Sequence, residues 1–443
     1  MLWFALYSLV FIVLAWLEHR RGQTTEDYFL NRRRSSAQQT GFSIVASVVG
    51  GSATVGMCGL AYAVGTPALW WLLSGAAGLV LLRLFMVSRI REHTRALTMP
   101  GLVAPYIGRG ATRLSCAVIL CAWTTILAAQ FLAMGRILEG LTGLSIMSAT
   151  LAGAFVIVLY TWLGGQASVI KSDVLQLAVI TAGLAAILGA LAFARPEPLL
   201  EARLEWLNAD FTTSDWGRFM LLIGGSYIVC PMLFSRVMSA RDDASARRGT
   251  TIGIAGIIVL ACLITALGLE ARAWIPADTP QDAVLSTLVQ QLPDWAGAAF
   301  FLVMASAILS SADSCLITAA TIAASDVFKR PEVGTSRKLL LVISAAALAL
   351  AFCGKSVLGL LLTANTIYTC AVVAPVFTAL ATRRRLSSSI TLATIAAASV
   401  LALASELTSN ETLTYVAAAV SIAGSMLAAV GQPRCIVARG FGR

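Results

Sequence analysis

Apolar runs of the length that crosses a bilayer recur along this chain from one end to the other. A helix needs about 20 such residues to cross the hydrocarbon core, with a range of roughly 17–25. Thirteen stretches approach that need: 1–17, 38–65, 67–88, 112–138, 146–163, 173–194, 216–235, 250–269, 296–324, 338–353, 356–381, 388–405 and 412–430. Hydrophobic residues make up 58% of the 443 and charged ones 12%, more apolar surface than a soluble fold of this length hides. The expected class is an all-α polytopic membrane protein of about thirteen helices.

Charge orders these helices. With the N-terminus outside, the odd gaps carry the basic clusters: Arg32, Arg33 and Arg34, then Arg89 and Arg91, then Arg236, Arg241, Arg247 and Arg248, then Lys329, Arg330, Arg337 and Lys338, then Arg383, Arg384 and Arg385. The opposite loops carry acid, at Glu197, Glu201, Glu205 and Asp210, at Asp278, and at Glu406 and Glu411. Basic loops face the cytoplasm, so the C-terminus is expected there too, in a bacterial-type inner membrane. The net charge of +10 comes from these short clusters, not from a nucleic-acid surface. Residues 1–17 lack the basic start and small-residue cleavage site of a signal peptide and read as a retained first span.

Two of the runs contain the same tripeptide, Gly50-Gly51-Ser52 and Gly224-Gly225-Ser226, 174 residues apart. Glycine pairs weaken a helix, and matching interruptions in two halves of a polytopic chain point to a transporter's binding site. Helix packing explains glycine pairs equally well. The second span runs outward and the seventh inward. That is the arrangement of a five-plus-five inverted repeat whose first helix is broken in each half. The expected organisation is an extra N-terminal helix and loop at 1–35, a first repeat at 36–195, a second at 196–385, and two extra helices with a tail at 386–443.

Polar residues inside the runs mark the site. Ala307, Ser310, Ser311 and Ser314 share one helical face by their spacing. Hydroxyls beside free carbonyls suit a hard cation such as sodium, although serines also pack and back-bond between helices. Asp313, deep in the same span, is costly there and so is a functional candidate. Asp173 lies at a helix end beside Lys171, which leaves a surface ion pair open. Gln130, Tyr227, Asn365 and Tyr368 either line a solute path or bond a neighbouring helix. Trp70, Trp71, Trp123 and Trp162 read as interfacial anchors or core. The scattered cysteines and the two histidines in charged loops form no metal cluster. No nucleophile–base pair or cofactor loop suggests an enzyme.

Four stretches in order, EDYFLNRR, GGQASVIKSDVLQ, PMLFSRVMSARD and ILSSADSCLITAATIAASDVFKR, resemble the sodium:solute symporter family, over about residues 20–385. The resemblance implies a LeuT-like fold and sodium bound between the first repeat helix and the eighth. It assigns that site to the backbone oxygens of Ala46 and Val49, the Ala307 carbonyl and the Ser310 and Ser311 hydroxyls. Some members hold a second sodium, which here would involve Asp173, Asp313 and Ser314; Asp313 departs from the family's hydroxyl there. Solute positions are expected at the breaks, at Gly50, Gly51, Ala53, Thr54 and Gly224, with Gln130, Tyr227, Asn365 and Tyr368. Ala53, Thr54 and Val55 argue against a polyhydroxylated sugar. An amino-acid-like or carboxylate solute, held by freed N–H groups at the breaks, fits better. The implied partners are sodium, that solute and the lipid bilayer, with no nucleic acid and no obligate protein partner. A proton-coupled transporter and a membrane solute sensor of the same fold are the other readings.

Overall fold

A computed structural model describes residues 2–20, 24–93, 96–195, 204–292, 294–354 and 356–434. Arg21, Arg95, Glu197, Pro198 and Glu201 lie outside these residues. Among the described residues the chain is helical, with three isolated β-bridges and no sheet. In chain order the helices are α1 (Leu2–Arg20), α2 (Thr25–Leu30), α3 (Ala37–Val48), α4 (Met57–Val64), α5 (Thr66–Arg91), α6 (Met99–Ile107), α7 (Arg109–Thr142) and α8 (Ile146–Ala194). There follow α9 (213–228), α10 (Pro231–Ser239), α11 (Asp243–Ala271), α12 (Val284–Gln290), α13 (Gly297–Val327), α14 (Val333–Cys353), α15 (Val357–Thr382), α16 (Ser388–Thr408) and α17 (Glu411–Ala429).

Among the described residues ten helices are long and apolar enough to cross a membrane, or eleven when the bent pair Ala37–Val48 and Ala53–Val64 counts as one span. The expected thirteen are reached only by adding α1 and by counting α8 twice. That helix has 49 residues. At about 1.5 Å per residue it would far exceed a hydrocarbon core of about 30 Å. It bends at Gly165, whose φ of 61° and ψ of −165° belong to a region open essentially to glycine alone. The bend frees carbonyls, and Arg337 of α14 takes two of them, donating to Trp162 O at 2.8 Å and Leu163 O at 3.1 Å. Tyr28 of α2 packs against the turn, where a Cβ on residue 165 would lie 2.5 Å from its ring. Gly165→Ala is therefore expected to cost at least the roughly 1–3 kcal/mol of a strained backbone, with the clash added. A lowered midpoint of thermal unfolding in detergent checks this.

Helix α3 packs along α11 through a small-residue stripe, as membrane helices do. A Cβ at Gly249, Gly253 or Gly256 would come within 2.6–2.8 Å of Thr40, Ile44 or Val45. The most internal helix is α13, with nearly all of its apolar window buried.

Both broken helices are present, but their breaks differ. The first falls where expected: α3 ends at Val48, capped by Val49, and the chain turns by 65° through Gly50 and Gly51 into a π-helical turn before α4. The second does not fall at Gly224-Gly225. Gly224 and Gly225 are both helical. The break comes at Val229 (φ −132°, ψ 26°) and Cys230 (φ −56°, ψ 125°), directly before Pro231. Proline offers no N–H and drives the residue before it to extended backbone. The second glycine pair instead allows close packing on α5, where a Cβ at Gly224 would sit 2.9 Å from the Ser74 carbonyl oxygen.

Candidate functional site

Between the two breaks lies a cavity of about 60 Å³. By that measure one water needs about 10–15 Å³, so it holds a few waters or part of a small solute. Ser47, Val48 and Ala53 face it from the first broken helix, and Ile223, Ser226, Tyr227, Cys230 and Met232 from the second. Trp71 of α5, Trp123, Ile126 and Gln130 of α7, Ser311 and Cys315 of α13, and Leu361 and Asn365 of α15 complete the wall. No charged side chain is among them.

Below one corner of the cavity, α3 and α13 bring oxygens together. Ser310 Oγ donates to Ala46 O at 2.9 Å and contacts Ala307 O at 3.0 Å. Ser311 Oγ lies 3.0 Å from Ser47 O and 3.3 Å from Ala46 O. Ala46, Ala307, Ser310 and Ser311 thus form one cluster of buried hard oxygens, the donor set that an alkali cation requires. Val49 is the buried cap of α3. Each serine shares a single proton between carbonyls, and a cation in their midst would take the hydroxyl lone pairs instead.

A second cluster adjoins the first through Ser47, whose carbonyl belongs to the oxygen cluster and whose hydroxyl does not. Ser47 Oγ lies 3.0 Å from Ser314 Oγ and accepts from Arg236 Nη2 at 2.9 Å. The same Nη2 donates to Ser314 Oγ and sits 3.5 Å from Asp173 Oδ2. Asp173 also accepts from Ser43 of α3. Asp313 Oδ2 accepts from Tyr160 at 2.6 Å, and Oδ1 contacts Ser314 at 3.2 Å. Asp173, Asp313 and Ser314 are therefore gathered as expected, with a guanidinium wedged among them.

One expectation changes here and two open readings resolve. Arg236 is not a cytoplasmic loop charge: it lies within α10 and is 1% exposed. The continuous apolar sequence around it is the available signal. Asp173 is not a surface residue paired with Lys171; both its side chain and that of Arg236 are fully buried, and Lys171 pairs with Glu18 instead. Trp71 and Trp123 are core rather than interfacial anchors, but they also wall the cavity.

The expected solute residues divide. Ala53, Gln130, Tyr227 and Asn365 face the cavity. Thr54 does not; its hydroxyl is engaged by Gly50 O at 2.9 Å. Tyr368 stands behind the wall and donates to Val229 O at 3.0 Å, capping a carbonyl that the second break exposes. Gly224 lines a different, apolar cavity with Gly78 and Phe377. Gly50 and Gly51 are needed for their size: a Cβ on Gly50 would lie 2.6 Å from Ser311 Cβ, and one on Gly51 2.8 Å from Ala133 Cβ. The Gly51 N–H is not free for a solute carboxylate, because Gln130 Oε1 accepts from it at 2.9 Å.

Comparison with known proteins bears on the family and the fold. The model of the sodium:solute symporter family matches residues 28–196 and 204–349. The sodium/pantothenate symporter of Haemophilus influenzae is 25% identical over 351 residues, covering 74% of this chain and 71% of that protein. The sodium/proline symporter of Salmonella typhimurium is 24% identical over 390 residues, covering 79% and 76%. Among solved structures, a substrate-bound, outward-open Na+-coupled sialic acid symporter superposes with a TM-score of 0.81 at 14% identity, over 97% of this chain and 98% of that one. MhsT in complex with L-phenylalanine superposes at 0.57 and 13% identity, over 89% and 99%. These two likenesses establish a shared LeuT-like fold.

Proposed function

The chain belongs to the sodium:solute symporter family, and on that premise we propose that it imports a small organic solute with one sodium ion by alternating access. The observation that carries the reading is the oxygen cluster of Ala46, Ala307, Ser310 and Ser311 against the wall of a cavity between two helix breaks. The sodium site joins α3 to α13, so an ion there draws the inner arm of the broken helix onto the most buried helix. Ser311 belongs to both the oxygen cluster and the cavity wall. Sodium therefore sets the shape of the surface that the solute meets. Coupling needs each ligand to raise the other's affinity, typically by about 1–3 kcal/mol.

One sodium, not two, follows from Arg236. Its guanidinium lies against Asp173, Ser47 and Ser314, the side chains that a second ion would use. A fixed cation already supplies the charge there. Asp313, held by Tyr160 and Ser314 hydroxyls, shapes this cluster without being a ligand of the single ion.

In this reading 36–195 and 196–385 are the two inverted repeats, the N-terminus is outside, and the membrane is a bacterial-type inner membrane. Protein reconstituted in liposomes is expected to accumulate solute only when sodium is higher outside, with one sodium entering per solute. Equal uptake from sodium-free buffer under a pH gradient would turn the reading to proton coupling. Solute binding without any flux would turn it to a sensor.

A further inference from the structure

Two carboxamides face the cavity, and the backbone has already decided which way each points. Gln130 is 2% exposed. Its Oε1 is engaged by the Gly51 N–H at 2.9 Å. That leaves Nε2, with no acceptor among the described residues, as the polar atom it offers to the cavity. Asn365 is oriented the opposite way. Its Nδ2 donates to Leu361 O at 3.0 Å, one turn back along α15, which leaves Oδ1 as the acceptor it offers. The partners of an amide settle its orientation. The cavity therefore has a donor pole on α7 and an acceptor pole on α15, with the rings of Trp71, Trp123 and Tyr227 among its remaining walls.

It has no ionic pole. None of its lining side chains is charged, and the buried ions Arg236 and Asp173 face each other at 3.5 Å. A net charge brought into such a wall would lose its hydration without a counter-ion on any lining side chain, which is expensive. Resting on the symport reading above, we infer that the solute is dipolar and carries no net charge. It brings an acceptor oxygen to Gln130 Nε2 and a donor hydrogen to Asn365 Oδ1, and it lays its apolar body against the aromatic rings. Zwitterionic amino acids have this chemistry. Net anions and quaternary cations do not, although the aromatic wall alone would welcome the latter.

Gln130 also ties recognition to coupling. The residue that would meet the solute holds Gly51, three residues beyond the end of α3. The oxygen cluster holds the last turn of the same helix. Solute and sodium thus grip opposite sides of one break.

Replacing Gln130 by Glu separates these roles. A carboxylate still accepts from the Gly51 N–H, but it offers the solute a negative charge in place of a donor. The test measures thermal unfolding of the purified full-length chain, with and without sodium, against three kinds of probe: the amino acids of no net charge, the anion pantothenate and the cation choline. The wild-type protein is expected to gain stability from sodium alone, and further from one or more of the neutral amino acids. In Gln130→Glu the sodium effect persists while the affinity for that amino acid falls at least tenfold. Asn365→Leu, which leaves Gln130 and the break untouched, gives the same loss by removing the other pole. Stabilisation by pantothenate or choline but by no neutral amino acid overturns the inference, as does unchanged or tighter amino-acid binding in both variants. Absence of a sodium effect in the wild-type protein would instead remove the symport reading beneath it.

Discussion

Replacing Ser310 and Ser311 together by Ala raises the sodium concentration for half-maximal uptake by well over tenfold, while the protein remains folded. Each serine gives the cluster one hydroxyl oxygen, and among the described residues no other side chain of α13 bonds Ala46 O. A hydrogen bond or ligand contact to a charged group is worth about 1.5–3 kcal/mol, and each 1.4 kcal/mol is about tenfold in affinity. Two such losses multiply. Ala307 O keeps its helical bond, whereas Ala46 O and Ser47 O, in the last turn of α3 before the break, lose their hydroxyl donors, so a moderate loss of stability accompanies the loss of affinity. Uptake is measured against sodium concentration at fixed solute, with protein abundance checked in the same membranes. An unchanged sodium dependence in the double variant would remove the site.

Arg236→Leu destabilises the protein more than Gly165→Ala or Asp173→Asn does. The guanidinium is buried among Asp173, Ser47, Ser314 and Ser235. Removing one partner of a buried pair costs roughly 3–5 kcal/mol, because the other charge is left alone. Here that charge is Asp173, whose Oδ1 already has no hydrogen-bond partner among the described residues. The companion change decides the cause. If the cost is the stranded carboxylate, Asp173→Asn in the Arg236→Leu background recovers a large part of the lost stability. Simple packing loss would leave the double variant no better than the single one. Asp173→Asn alone is milder, since Arg236 keeps its serine partners. Thermal unfolding of the wild-type protein, the two single variants and the double variant completes the cycle.

Much of this molecule is legible in its sequence because lipid is an unforgiving solvent. Run length and loop charge are imposed by the bilayer, and they are written residue by residue. So is the serine face of α13, since helical period alone puts Ser310 and Ser311 on one side. The second break is harder to read, because the glycine pair at 224–225 repeats the first one and draws the eye there. Pro231, a few residues further on, is the physical cause. A repeated tripeptide is a likeness of letters, whereas a missing N–H is a constraint on backbone. Arg236 misleads for the opposite reason. Its charge assigns it to a loop, yet its partners come from α3, α8 and α13, and no local pattern records a contact across 63 or 189 positions. Tyr368 and Thr54 are polar in apolar runs, which marks them as solute contacts. Each serves a backbone carbonyl at a break instead, and spacing alone does not distinguish the two uses.

The outer arm of the first broken helix has a fastening of its own. Arg272, just past the end of α11, donates to Tyr62 O at 2.7 Å and Ala63 O at 3.1 Å, and contacts Ala61 O at 3.4 Å. Tyr62 O and Ala63 O are carbonyls that a helix C-terminus leaves without partners, while Ala61 O also accepts from the Gly65 N–H. The guanidinium thus bolts α4 to α11, and the two form a single stiff strut. The other arm, α3, packs along the same α11 but has no guanidinium on its end; at the break its last carbonyls are held by the serines of α13, with Ser43 bonded to Asp173 further along. The break is a pivot with one arm clamped and one arm on a catch. If sodium binds there as proposed, it is the pin of that catch: its departure would free the α3 arm, and low sodium on the side that arm faces would open the cavity to that side.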